Sequence, residues 1–166
     1  MTPEDYARYR GVKIGKGCYI STKLFSSESY LIEIGNYVRI ASNTAFFTHG
    51  GLWSIRKYYT NPDLDYFGKI KIGDYTYIGE ACMIMPGVSI GSNCIIGAGT
   101  IVTKSIPDGC MAAGNPCKFI GYTNDFYNKI NKQNVKTATM THKEKKRYLI
   151  NLPDAAFISK KEIIIK

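Results

Sequence analysis

Between Ile72 and Val102 the chain repeats in sixes. An aliphatic residue opens each hexad, at Ile72, Ile78, Ile84, Ile90, Ile96 and Val102. Glycine follows four of these openers, at Gly73, Gly79, Gly91 and Gly97. A small or β-branched residue stands four positions after the first five, at Thr76, Cys82, Val88, Cys94 and Thr100. A six-residue period marks a parallel β-helix. Residues two apart share one face of a strand, so Thr76 with Ile78, Cys82 with Ile84, Val88 with Ile90 and Cys94 with Ile96 point into one interior. The rest of each hexad turns a corner, where glycine tolerates backbone angles that a Cβ forbids. Three sides make one coil. A single coil cannot bury its own apolar face, so coils must stack, with strands about 4.8 Å apart. A sandwich of ordinary short strands is the alternative, but its turns vary in length and these do not.

The period extends unevenly on both sides. Residues 1–11 read as a helical cap, with Thr2, Pro3 and Asp5 in a capping pattern. Hexads begin at Ile14 and Ile20, slip by two residues over FSSESYL, and resume at Ile34, Ile40 and Phe46. The slip predicts a bulge or small protruding loop. Residues 47–69 then break the pattern and hold Trp53, Tyr58, Tyr59, Tyr66 and Phe67. A long aperiodic loop is usually functional or disordered, and this aromatic content argues against disorder. After Val102 the repeat ends at SIPDG, and AAGNPCKFIG predicts an irregular or extended exit. Short helices are expected over 122–134 and 141–150, the second capped by Thr141 and Glu144. The apolar run Ile163 to Ile165 reads as a docked strand or a subunit contact. The fold class is therefore all-β, a parallel β-helix over 12–121 with a protruding loop, short terminal helices and an extension over 122–166.

Charge separates that extension from the rest. Of the net +9, residues 1–128 carry +2 and residues 129–166 carry +7. A nucleic acid or a membrane surface must be considered as partner of such a segment, although no nucleic-acid motif is present. No stretch approaches the ~20 apolar residues of a membrane span, and MTPEDYARYR lacks the apolar core of a signal peptide. Cys18, Cys82 and Cys94 fall at inward hexad positions and read as buried reduced thiols; no cysteine spacing resembles a metal site. Cytoplasm is the expected compartment.

Four segments carry a resemblance. They are Ile72 to Gly79, Pro86 to Gly91, Ile96 to Lys104 (IGAGTIVTK) and Ala113 to Lys118 (AGNPCK). In this order they resemble the hexapeptide-repeat acyltransferases, and most of all their maltose, galactoside and polysaccharide O-acetyltransferase branch. A weaker match covers residues 12–49. The resemblance implies a left-handed parallel β-helix, a hand that periodicity does not reveal and that ordinary parallel crossovers would contradict. It also implies acetyl-CoA as co-substrate, no metal, and a homotrimer with sites between subunits.

His49, at the junction of coil and loop in FTHGG, occupies the position of the family's catalytic histidine. Histidine suits a general base near neutral pH. The other histidine, His142, sits among lysines and reads as a solvated helix face. No Ser-His-Asp signature is visible and no cysteine stands beside a histidine, so direct transfer is expected rather than an acyl-enzyme. Carried over by motif, the backbone N–H of Glu80 would meet the oxyanion. Gly79, Glu80 and Ala98 would offer backbone contacts to the thioester and pantetheine, Thr103 and Lys104 would flank the arm, and Lys118 would meet the ribose phosphate. The side chain of Glu80 departs from the small residue usual there. Tyr77 would wall the acetyl site, while Trp53, Tyr58 and Tyr59 suit stacking on a pyranose or packing against a neighbour. Asp63, Asp65 or a backbone carbonyl would orient His49.

The expected activity is O-acetylation of a sugar hydroxyl, in a surface polysaccharide, its precursor or a small saccharide. A nucleotide-amino-sugar N-acetyltransferase, favoured by Arg56 and Lys57, is one alternative, and a xenobiotic acetyltransferase is another. A scaffold without cofactor affinity and a zinc anhydrase are rivals of other classes. The anhydrase needs three zinc histidines per site, which this chain cannot supply.

Overall fold

The structure is a computed structural model and describes residues 1–164. Its strands are short and fall where the hexads open. Helix α1 (Pro3–Tyr9) precedes β1 (Lys13–Ile14), β2 (Tyr19–Ile20), β3 (Ile32–Ile34), β4 (Arg39–Ile40) and β5 (Ala45–Phe46). After the loop helix α2 (Trp53–Tyr58) come β6 (Ile70–Ile72), β7 (Tyr77–Ile78), β8 (Met83–Ile84), β9 (Ser89–Ile90), β10 (Ile95–Ile96) and β11 (Ile101–Val102). Then follow β12 (Cys110–Ala113), β13 (Lys118–Tyr122), α3 (Thr123–Asn131) and α4 (His142–Ile150).

These strands form three sheets, in orders β1-β3-β6-β9, β2-β4-β7-β10-β12-β13 and β5-β8-β11. From β3 to β11, successive strands therefore visit the first, second and third sheet in turn, and at either end the isolated bridges of Phe25 and Ile106 take the place of a strand. Each opener pairs in parallel with the opener three hexads on: Ile72 with Ile90, Ile78 with Ile96, Ile84 with Val102. The two-residue slip does not break this register, because Phe25 bridges to Phe46 and their rings stack at 5.1 Å. The extra residues form a 3-10 turn, Ser29–Leu31.

Buried openers make columns through the interior, among them Ile40, Ile78 and Ile96. Each such side chain contributes about 1.5–3 kcal/mol on burial. The fourth-position residues have a second role, because a buried polar group must find a partner. Thr44 and Thr76 hydroxyls donate to the carbonyls of Gly79 and Gly91, both at 2.8 Å. The thiols of Cys82 and Cys94 reach the carbonyls of Gly97 and Pro107, both at 3.1 Å. That explains small donors at these positions. Cys18 departs from the expected full burial and is half-exposed, since its coil has a neighbouring coil on one side alone.

Outward side chains differ between sheets. The first presents Lys13, Glu33 and Lys71, with a 2.9 Å ion pair between the first two. The second presents Tyr19, Arg39, Tyr77, Ile95 and Met111, and the third Ala45, Met83 and Ile101.

Three readings need correction. Residues 47–69 are not without regular structure, since α2 forms a six-residue helix there. The exit after the repeat is a hairpin, with β13 antiparallel to β12. Of the docked strand and the subunit contact expected for this run, the strand is absent, since Ile163 and Ile164 form none and are 89% and 84% exposed; Ile165 lies outside the described residues. The capping box of α4 is present, with the Glu144 carboxylate accepting the Thr141 N–H at 2.9 Å. The chain falls into two compact units, Met1–Thr123 and Asn124–Lys166.

Candidate active site

Strand β5 delivers the chain to His49. Past its end Phe47 N–H still bonds the Ile84 carbonyl, at 2.9 Å. Thr48 is buried, and its carbonyl accepts the Gly68 N–H at 2.7 Å. The loop is thus tied off where it leaves the coil and where it returns. His49 stands just outside this tie, half-exposed, with its ring edge-on to Phe67 at 6.0 Å.

Three contacts define the ring. Nδ1 lies 3.2 Å from the Gly50 carbonyl. A carbonyl accepts, so Nδ1 carries the proton and Nε2 keeps its lone pair in the neutral ring. Nε2 faces Ser27 Oγ at 3.2 Å and Glu28 Oε2 at 3.4 Å. Glu28 is itself held: its Oε2 accepts from Ser27 Oγ at 3.0 Å and from Thr48 Oγ1 at 3.1 Å. Burial pushes the Glu28 carboxyl up, but the Ser27, main-chain and Thr48 hydrogen bonds, with His49 nearby, bring it net below the usual glutamate range. The carboxylate is therefore ionised beside the nitrogen that would take a proton.

Glu28 and Ser27 were not among the sequence candidates. Both lie in the phase slip, which in the sequence reads as a bulge or small protruding loop and nothing more. Of the expected orienting groups, the carbonyl is the one in place. Asp65 instead pairs with Arg56 at 3.3 Å.

A second set of residues lies along the corner after the second sheet. Gly79 fits only as glycine, because a Cβ would come 2.5 Å from the Ala98 nitrogen. Its N–H is spent on the Ile96 carbonyl at 2.9 Å, and its carbonyl accepts from Thr44. Glu80 and Ala98 are exposed, and among the described residues nothing accepts from their N–H groups. The first corner is the opposite. There Asn36 caps Lys16 N–H, Asp74 caps Asn36 N–H at 2.7 Å, Ser92 caps Asp74 N–H at 3.0 Å and Asp108 caps Ser92 N–H at 2.7 Å. Ala98, stacked on Glu80, has no side-chain acceptor to offer. The Glu80 side chain accepts from Asn43 Nδ2 at 3.4 Å.

Lys104 and Lys118 share one cavity of about 200 Å³ with Pro107 and Cys117. Thr103 is exposed beside them. Tyr77 is 40% exposed between Arg39 and Ile95. Trp53, Arg56, Lys57, Thr60 and Pro62 line another cavity, of about 430 Å³, with the Lys57 ammonium 5.9 Å from the Trp53 ring centroid. Tyr58 is exposed outside it, edge-on to Tyr59 at 4.8 Å. No hydrogen bond or ion pair among the described residues links the His49 group to the Glu80 corner. No group of three or more metal-binding side chains occurs among them.

Residues 69–104 match the family model for the bacterial transferase hexapeptide, six repeats. The chain is 43% identical over 152 residues to Protein CapG of Staphylococcus aureus, spanning 89% of this chain and 87% of that one. This chain belongs to the hexapeptide-repeat acyltransferase family. As a family member it is an acyltransferase. It is also 38% identical over 128 residues to the galactoside O-acetyltransferase of Escherichia coli strain K12, spanning 75% of this chain but 61% of that protein. Among solved structures, a hexapeptide-repeat acetyltransferase of Vibrio cholerae in complex with acetyl-coenzyme A shares the fold. It matches at TM-score 0.59 and 24% identity, over 68% of this chain and 61% of that one.

Proposed function

We propose that this family member is an acetyl-CoA-dependent O-acetyltransferase that modifies a sugar hydroxyl, in a surface polysaccharide, its precursor or a small saccharide. The observation that carries the reading is the His49 ring. Its Nδ1–H is held on the Gly50 carbonyl, and its Nε2, in contact with Ser27 Oγ, lies beside an ionised Glu28. Ser27 Oγ, a hydroxyl 3.2 Å from Nε2, marks a place that an acceptor hydroxyl oxygen can take.

In this reading Nε2 removes the acceptor's proton as its oxygen attacks the thioester carbonyl carbon. Glu28 stabilises the imidazolium that results. The unused N–H of Glu80 donates to the oxyanion, an effect worth about 10²–10³ in rate elsewhere. Collapse breaks the carbon–sulfur bond, and His49 returns the proton to the departing thiolate. Ala98 N–H and Thr103 serve the pantetheine, and Lys104 and Lys118 meet phosphate as point charges. Tyr77 walls the acetyl site and Trp53 stacks on the sugar.

The coil is left-handed in this reading, as in the family. Its two largely apolar outer faces, the second interrupted by Arg39, support a closed homotrimer, since two different surfaces in contact generate a ring where the rotation closes. Such a ring brings the His49 group of one subunit to the Glu80 corner of its neighbour. Five free thiols suit a reducing cytoplasm.

A second reading rests on the Trp53 cavity. Arg56 and Lys57 there favour a nucleotide-linked amino sugar and hence N-acetylation. Thiol release from acetyl-CoA, measured against neutral sugars and nucleotide-amino sugars, separates the two. Turnover on hydroxyl acceptors, lost by about 10²–10⁴ in His49→Ala, is expected. Turnover on amino sugars alone would transfer the assignment to N-acetylation, and turnover unchanged in His49→Ala would remove the histidine from the mechanism.

A further inference from the structure

The unit formed by residues 124–166 has helices but no core. None of its described residues is buried. Helix α3 exposes Phe126, Tyr127 and Ile130. Further on, Ile150, Phe157, Ile158, Ile163 and Ile164 are exposed as well. Apolar side chains left in water at this density mark a contact surface. Their setting is strongly basic: residues 124–166 hold ten Lys+Arg against four Asp+Glu, a net +6. Four of the ten fall in α4, at Lys143, Lys145, Lys146 and Arg147. Phe126, Ile130, Phe157 and Ile158 also line a cavity of about 360 Å³, together with Lys129, Lys160 and the carboxylate of Asp154. Four apolar side chains beside two ammonium groups and one carboxylate leave this cavity net positive, which suits an amphiphile with a negative head.

We propose that this unit docks on an anionic lipid surface. Its aliphatic and aromatic side chains enter the boundary between headgroups and acyl chains, and its lysines meet lipid phosphates. Interfacial binding of this kind adds buried apolar area to electrostatic attraction. Charge decides against a second copy of the same unit, because each copy brings +6. Nucleic acid would satisfy the lysines but not Ile150, Ile158, Ile163 and Ile164, which have no planar face to stack on a base.

Co-sedimentation of the full-length chain with vesicles tests this without recourse to acetyl transfer. At ~0.15 M salt, binding is expected to vesicles of phosphatidylcholine with about 30% phosphatidylglycerol, and not to phosphatidylcholine alone. Lys143→Gln/Lys146→Gln/Lys160→Gln, all at exposed positions, is expected to weaken partitioning roughly a hundredfold. Ile158→Ser/Ile163→Ser/Ile164→Ser is expected to weaken it as well, with the melting temperature of either variant unchanged. Absence of binding to the anionic vesicles, or equal binding to neutral ones, overturns the proposal. So does a serine variant that binds like wild type while a DNA duplex displaces both, since that result describes a site for any polyanion.

Discussion

Glu28 is the residue whose role depends most on its neighbours. A carboxylate in a surface turn is ordinarily a solvated charge. Here two hydroxyls donate to one of its oxygens, and the His49 ring stands 3.4 Å away. Replacing it by the isosteric amide keeps an acceptor for Thr48 but removes the charge that would balance an imidazolium. Glu28→Gln is expected to lower kcat about tenfold or more while leaving KM for acetyl-CoA unchanged, which steady-state kinetics would read directly. A loss confined to KM would assign Glu28 to binding. The same carboxylate makes stability depend on pH. Its pKa in the fold is lowered, so its contribution is fully present above the ordinary glutamate value of ~4.3 and is lost as pH falls through the lower folded value. The wild type is expected to keep its advantage in melting temperature over Glu28→Gln at about pH 6 and to lose it as the pH falls below about 4.3. A constant difference across that range would count against the linkage.

At the scale of an element, the corners of the coil carry the contrast. The ladder of Asn36, Asp74, Ser92 and Asp108 caps one N–H per coil along the first corner. Asp74→Ala leaves the Asn36 N–H without its acceptor, and a loss of about 1–3 kcal/mol is expected in denaturant unfolding. Along the second corner the same positions, Glu80 and Ala98, keep their N–H groups unused. Ala98→Asn places an acceptor above Glu80 N–H in the manner of Asp74 above Asn36. This substitution is expected to hold or raise the melting temperature while lowering acetyl transfer by about 10²–10³. Retained activity in a stable Ala98→Asn protein would sink the role given to the Glu80 N–H. Leaving donors unused at one corner and capping them at the other is a difference of side chain, not of backbone.

For the whole molecule, the proposed trimer rests on the outer faces. The first sheet shows Lys13, Glu33 and Lys71, the third shows apolar side chains, and the second is apolar but for Arg39, which lies over the Tyr19 ring. Light scattering is expected to give a mass three times the 18.6 kDa of the chain. Ile95→Glu, on the outer face of β10, places charge within the proposed contact and is expected to yield monomers with little acetyl transfer. A monomeric wild type with full activity would place all catalytic groups in one chain.

The hexad period was legible because burial demands it: every opener in a stacked coil faces the same interior, so the phase Ile72 to Val102 is forced on the sequence. The capping residues Thr141 and Glu144 were legible for a similar reason, since their partners lie within one turn. His49 was singled out by the family resemblance, which sets a histidine at this junction of coil and loop; its place in the sequence alone would have read as structural. Glu28 and Ser27 could not, because 20 or more residues separate them from Thr48 and His49 and nothing local requires them to meet. The hairpin of β12 and β13 was missed for another cause: its pairing is local, Ala113 opposite Lys118, but no residue of β13 is buried, so it carries no apolar alternation to read. The helix α2, with no buried residue, left no apolar stripe to read.

The sequence by itself determined the period, the inward set of residues and the position of the one histidine beside the loop, because each follows from local geometry repeated without a break. Tertiary structure alone decided which carboxylate meets His49 and which corner leaves its N–H groups unused. Those outcomes depend on what the stacking of coils brings within hydrogen-bonding distance, and distance across a fold is not a property of neighbours along a chain.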